Sequence, residues 1–159
     1  MEQKTLSRWL KLVLVGVGLC GLVVYGAILP LYGQSILSLN PDMGNRYWPW
    51  LIFLWASGVP CYAALVIGWR IAENIGRDHS FSEDNARYLK RIALLAAGDA
   101  VFFFVGNIVL RFATMSHPGV VLGSLLVVFA GVAVSIAAAA LSHLVLKAAL
   151  LQEQNDLTI

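Results

Sequence analysis

Charge is scarce in this chain. Lys and Arg number 11, Asp and Glu 9, and together they make up 13% of 159 residues, against 59% apolar side chains. A soluble domain carries about 25% charged and about 45–50% apolar residues. The balance excludes an ordinary soluble domain and points to a chain in lipid. A net charge of +2 gives no basic surface for direct binding to nucleic acid. Cysteine is nearly absent too. Cys20 and Cys61 each sit inside an apolar run, which excludes a disulfide framework and a four-cysteine zinc site and reads both as small buried hydrophobes.

The same poverty removes several enzymes. A quinone-coupled disulfide oxidase needs paired cysteines facing the outer compartment. An intramembrane aspartyl protease needs two carboxyls in one site, and Asp99 is alone among the apolar windows. His79, His117 and His143 fall at separate places along the chain, so they suggest no metal cluster. No cofactor is implied and no catalytic constellation is visible. The chain reads as a non-enzyme. It also lacks an internal repeat, so an inverted-repeat transporter is not suggested.

What is present is length of apolar run. A spanning helix needs about 20 mostly apolar residues. Four windows qualify, at residues 9–32, 48–69, 92–110 and 120–146. The first is too long for the h-region of a signal peptide, about 7–15 residues, so it is expected to stay as a span. The fold class is all-α: a polytopic membrane protein whose four spans form one bundle domain. Orientation follows from basic residues. With both termini on one side, that side carries Lys4, Arg8, Lys11, Arg70, Arg77, Arg87, Lys90, Arg91 and Lys147, nine of the 11. Both termini and the middle loop are therefore expected in the cytoplasm, in a bacterial inner membrane. Tyr47, Trp48, Trp50 and Trp69 suit the interfacial aromatic belts. Turn signals at Asn40-Pro41-Asp42, Gly44-Asn45 and Ser116-His117-Pro118 mark short outer loops.

The middle loop, residues 70–91, is more than a linker. The second helix continues past Arg70 and is expected to end at a Gly76 cap. Ser80 and Ser82 compete to cap the third helix, with Glu83 and Asp84 at its positive end. The result is a helical hairpin extending beyond the lipid. The polar tail, residues 147–159, leaves the membrane on the same side. It either frays, as chain ends do, or docks through Leu150, Leu151, Leu157 and Ile159, with Glu153 and Asp156 pairing to Arg87, Lys90 and Arg91.

Inside the spans Asp99 stands out. It lies about 12 Å along the helix from Arg91 at 1.5 Å per residue, near mid-bilayer, with Tyr62 of the second span at a similar depth. A desolvated charge is unfavourable, so Asp99 is expected to be neutral or hydrogen-bonded, facing the interior. It can serve as a proton or ion site, or as a helix-to-helix hydrogen bond. Asn107 and Arg111 are the other intramembrane polar residues of that helix. Small residues at i,i+4 (Gly16 and Cys20, Gly26 and Pro30, Gly119 and Gly123, Gly131 and Ser135, Ala138 and Ser142) allow close packing within the bundle or between two copies. Pro60 is expected to kink the second span.

The loop IGRDHSFSEDNARYLKRIA and the ending LQEQNDLTI resemble a family of small bacterial membrane proteins classed as a domain of unknown function. The loop pattern F-S-x-x-N-x-x-x-L-x-x-I is carried here by Phe81, Ser82, Asn85, Leu89 and Ile92. The E-N-D-L-T-I-like ending is carried by Gln154, Asn155, Asp156, Leu157, Thr158 and Ile159. The resemblance implies four spans. It also implies a cytoplasmic protein partner, a small helix-turn-helix regulator of the Cro/C1 type, which members are often encoded beside. Partner-binding residues are then Phe81, Ser82, Asn85, Leu89 and Asn155 to Ile159. The competing expectation is a small proton-linked transporter, channel or sensor built on Asp99.

Overall fold

The structure is a computed structural model and describes residues 3–39, 44, 47–112 and 118–156. The outer turn signals around Asn40-Pro41-Asp42, Asn45 and Ser116-His117 lie outside this set, as do Leu157, Thr158, Ile159 and the side chain of Asp156.

The described residues form four long helices and no strand. The first covers Gln3–Leu39, the second Tyr47–Gly76, the third Glu83–Phe112 and the fourth Pro118–Asp156. All four are long and apolar enough to cross a membrane. At 1.5 Å per residue the 30-residue second and third helices are about 45 Å long, against a hydrocarbon core of about 30 Å. The helices therefore outreach the apolar windows. The largest difference is at the C-terminus, where the fourth helix runs on to Asp156 through residues expected to form a separate polar tail.

The four helices stand side by side as an open row. Close backbone approach joins first to second, second to third and third to fourth helix; among the described residues the first and fourth do not meet. Lipid explains why such a row is tolerated. No hydrophobic force drives helices together there, so association follows packing and hydrogen bonds.

Each seam has its own chemistry. Between the third and fourth helices, buried Ala86, Ala93 and Ala100 repeat every seven residues. Gly131 rests against Ala100, while Ser135 and Ser142 donate to the carbonyls of Ala93 and Ala86 at 2.8 and 2.7 Å. Gly131, Ser135 and Ser142 are thus spent on packing within the row. Between the second and third helices, Phe53 lies on Gly106 so closely that a Cβ would clash. Phe102 and Phe103 flank it with ring centroids at 5.1 and 5.4 Å.

The first helix changes winding where proline demands it. Pro30 has no N–H for the preceding turn and its ring crowds that turn. Val24–Ile28 answers as a π-helical segment, with the Leu29 N–H reaching back to the Val24 carbonyl. Continuing that register would require an N–H from residue 30 for the Tyr25 carbonyl, and proline has none. The indole N–H of Trp55 on the second helix donates to it instead, at 3.0 Å.

Candidate functional site

Both termini-bearing helix ends and the connection between second and third helices lie at one end of the row, the basic end. Ser80 Oγ donates to Gln3 Oε1 at 2.7 Å, tying the loop to the start of the first helix. Ser7 donates to the Ala72 carbonyl and touches Gly76. That contact, not backbone freedom, is what Gly76 serves. The expected left-handed glycine cap is corrected: Gly76 keeps a negative φ and Asp78 adopts φ 63° instead. Aspartate tolerates that region better than most residues.

The competing caps are also resolved. Ser82 caps the third helix, its Oγ accepting from the Asn85 N–H at 3.3 Å, and its carbonyl accepts from Ala86. Asn85 is the keystone. It is 1% exposed; its amide donates to the carbonyls of His79 and Ser80, both at 3.0 Å, and its Oδ1 accepts from Asn74 at 2.8 Å. Ser82 and Asn85 therefore build the loop from within, and a partner could reach Asn85 only by opening it. Leu89 is half-buried. Phe81 is different, projecting with 58% of its surface exposed.

Around this loop the charges mostly pair locally. Arg77 meets Glu73 at 2.7 Å, and Arg87 meets Glu83 at 2.8 Å and Asp84 at 3.8 Å. The hydrogen bond that Arg87 donates to Glu83, with Asp84 nearby, pushes its guanidinium above the ordinary range. Arg87 thus has acids of its own helix as partners. The fourth helix instead carries Leu150 and Leu151 outward, 45% and 57% exposed, with Asn155 exposed beyond them. The tail is a projecting helical stub.

A second cluster lies at mid-height. Asp99, at the middle of the third helix, accepts from the Cys61 thiol at 3.8 Å through Oδ2. Its Oδ1 is buried and has no hydrogen-bond partner among the described residues. Ser57, 3% exposed, donates to the Leu54 carbonyl at 2.8 Å. Gly58 leaves room for the Tyr25 ring. Tyr62 is not part of this cluster, although its depth suggested it. Its hydroxyl turns to the first helix and donates to the Gly18 carbonyl at 3.0 Å. Asn107 bonds its own helix at Phe103, 2.6 Å away, and Arg111 is exposed near the helix end. Neither cysteine is buried as expected; both are free and exposed on the row. Among the described residues no group of His, Cys, Asp and Glu could hold a metal ion.

Sequence reasoning missed Tyr25, Ser57 and Asn74. Pro30 was the available signal for the first, because it forces the turn that carries Tyr25. Ser57 and Asn74 had only their polarity to mark them.

Comparison with known proteins agrees with the membrane reading. The chain is 27% identical over 162 residues to the uncharacterized membrane protein YoaS of Bacillus subtilis (strain 168), covering 99% of both chains. No solved structure matches it. Residues 31–159 match the family model described as protein of unknown function DUF2975. With four helices long enough to span a membrane and most of its length matched, the chain belongs to the DUF2975 family.

Proposed function

We propose that this protein is a non-enzymatic docking platform of the bacterial cytoplasmic membrane. Its basic end faces the cytoplasm, as the distribution of Lys and Arg favours, and holds a soluble protein partner there. One observation carries the reading. The loop spends Ser80, Ser82 and Asn85 on internal hydrogen bonds and leaves its one aromatic, Phe81, 58% exposed. The helix continues about 10 Å from Trp69 to Gly76 at 1.5 Å per residue, so the tip stands clear of the interfacial belt and is offered to protein rather than lipid. Leu150 and Leu151 on the projecting stub supply a second apolar element on the same side; in the sequence Asn155, Asp156, Leu157, Thr158 and Ile159 follow them. A small helix-turn-helix regulator is the partner the family resemblance suggests; the membrane protein itself would touch no nucleic acid.

The open faces of the row leave room for a second copy, with Gly16, Gly26, Gly98 and Gly123 meeting nothing within 4 Å. A transporter or channel around Asp99 has weaker support, because Asn107 and Arg111 do not extend the cluster along the third helix. The test is reconstitution with the candidate regulator, comparing the full chain with Phe81→Ser and with a chain ending at Leu150. Binding that both changes weaken tenfold or more supports the platform. Binding indifferent to both, or no binding by the full chain, sinks it.

A further inference from the structure

We infer that the third and fourth helices bind one anionic phospholipid, its headgroup on Arg111 and an acyl chain in the groove between them. Arg111 lies in the last turn of the third helix, at the end of the row opposite the basic end, and is exposed. It has no ion pair or hydrogen bond among the described residues. The chain offers it little to pair with. Beyond Asp99 no acid occurs before Glu153, and the first and second helices carry none before Glu73. Asp42 lies outside the described residues. The end of its own helix gives the cation only a partial counter-charge, so a full one is left to the surroundings.

Below Arg111 the same helix face is apolar. Steps of three and four residues lead from Arg111 to Ile108, Phe104, Val101 and Ala97, which share one side of the helix. The deeper three line a groove of about 310 Å³, bounded across it by Val128, Val132 and Ile136 of the fourth helix. Ser135 is the polar residue of its wall, and that hydroxyl has already given its proton to the Ala93 carbonyl. The groove therefore has no donor to spare for a polar ligand, whose own groups would go unmet there. Hydrocarbon suits it.

The spacing of charge and groove fits one lipid. From Ala97 to Arg111 the helix rises about 21 Å at 1.5 Å per residue. A bilayer with its headgroups is about 40–45 Å thick, so this is the depth of one leaflet. A phosphate at Arg111 brings the end of its chain to the deep end of the groove. Each part is weak alone. An exposed charge pair contributes little, and a lipid tail gains nothing by leaving other tails for side chains equally apolar. Together the headgroup selects the lipid and the groove keeps its chain in place. The guanidinium fork matches phosphate oxygens. A zwitterionic head brings its own cation, which repels Arg111, whereas an anionic head does not.

Native mass spectrometry tests the site, with the full chain released from nanodiscs of equal phosphatidylglycerol and phosphatidylcholine. The expected result is a retained phosphatidylglycerol, favoured about fivefold over phosphatidylcholine, the worth of one interfacial charge. Arg111→Gln should remove the preference, and Arg111→Lys should keep most of it. Ala97→Phe and Val132→Phe fill the groove from its two sides, and each should lower retention of both lipids. Equal retention of the two lipids by the parent chain overturns the inference. So does a preference that survives Arg111→Gln, which would put the lipid at the basic end, or retention untouched by both groove fillings. A second copy covering the groove would appear as a lipid-free dimer, and that result overturns it too.

Discussion

Two polar clusters hold this protein together, and they are finished to different degrees. At the basic end Asn85 is almost sealed from solvent, yet its amide and oxygen have three partners. At mid-height Asp99 has one weak sulfur partner and a buried oxygen without any among the described residues. A satisfied buried network rigidifies and fixes one geometry; an incomplete one is strained and open to change. The difference gives the first cluster an architectural role and leaves the second with an acceptor unmet among the described residues.

The largest expected effect comes from breaking the finished cluster. Asn85→Ala leaves the carbonyls of His79 and Ser80 and the amide of Asn74 without their partner. Unmet buried groups cost about 1–3 kcal/mol each. Denaturant unfolding in detergent should show a loss of several kcal/mol. Hydrogen exchange should rise across the connection between the second and third helices while the alanine seam stays protected.

The unfinished cluster should respond to charge rather than to shape. Asp99→Lys places a cation at the middle of the third helix with no acid facing it, at about 2.5–3.5 kcal/mol on insertion scales. Asp99→Asn keeps size and hydrogen bonding and adds no charge, so it should cost clearly less than Asp99→Lys. Membrane insertion yield and unfolding together check the pair. Equal losses for Asn and Lys would mean that Asp99 is an ionised structural contact, and the contrast between the clusters would collapse.

The same contrast explains what could be read in advance. The four spans were legible because lipid demands long apolar runs. Hydropathy stops where lipid stops, however, so it could not show that the first helix begins at Gln3 or that the fourth continues to Asp156. The open row was not legible either. Within lipid every face is apolar, and only the seven-residue repeat of Ala86, Ala93 and Ala100 records which face packs. Asp99 announced itself by charge, but its partner was mistaken by one position. Depth along the second helix placed Tyr62 near it, whereas a step of one residue turns a side chain by about 100° at 3.6 residues per turn, and that turn gives Cys61 the carboxyl and Tyr62 the Gly18 carbonyl. At the loop, Gly76 looked like a cap by type. The close approach of Ser7, a contact from far along the chain, gave it another role and left the left-handed position to Asp78.

A smaller effect is expected at the edge of the finished cluster. Ser82→Ala removes the hydroxyl that caps the third helix through the Asn85 N–H. Loss of an N-cap typically costs about 1 kcal/mol. The unfolding midpoint should fall slightly, and exchange should rise at the first turn from Glu83 without spreading to Ala93. A loss as large as that of Asn85→Ala would show that Ser82, not Asn85, holds the loop.

The smallest effect on stability sharpens the comparison most. Phe81 sits between Ser80 and Ser82, both hydrogen-bonded inward, yet its own ring is 58% exposed. Its removal uncovers no buried polar group. Surface substitutions away from caps, charges and cores usually change stability by less than about 0.5 kcal/mol. Phe81→Ser should therefore unfold at the same denaturant concentration as the parent and keep the same exchange pattern around Asn85. If the loop exists to present this ring, a partner bound at the basic end should nevertheless be released by the same substitution. A hidden structural role would reverse the pattern: stability would fall, and partner binding would weaken only in proportion to the fraction unfolded. Measuring both on one sample separates a residue that builds the loop from the residue the loop is built to offer.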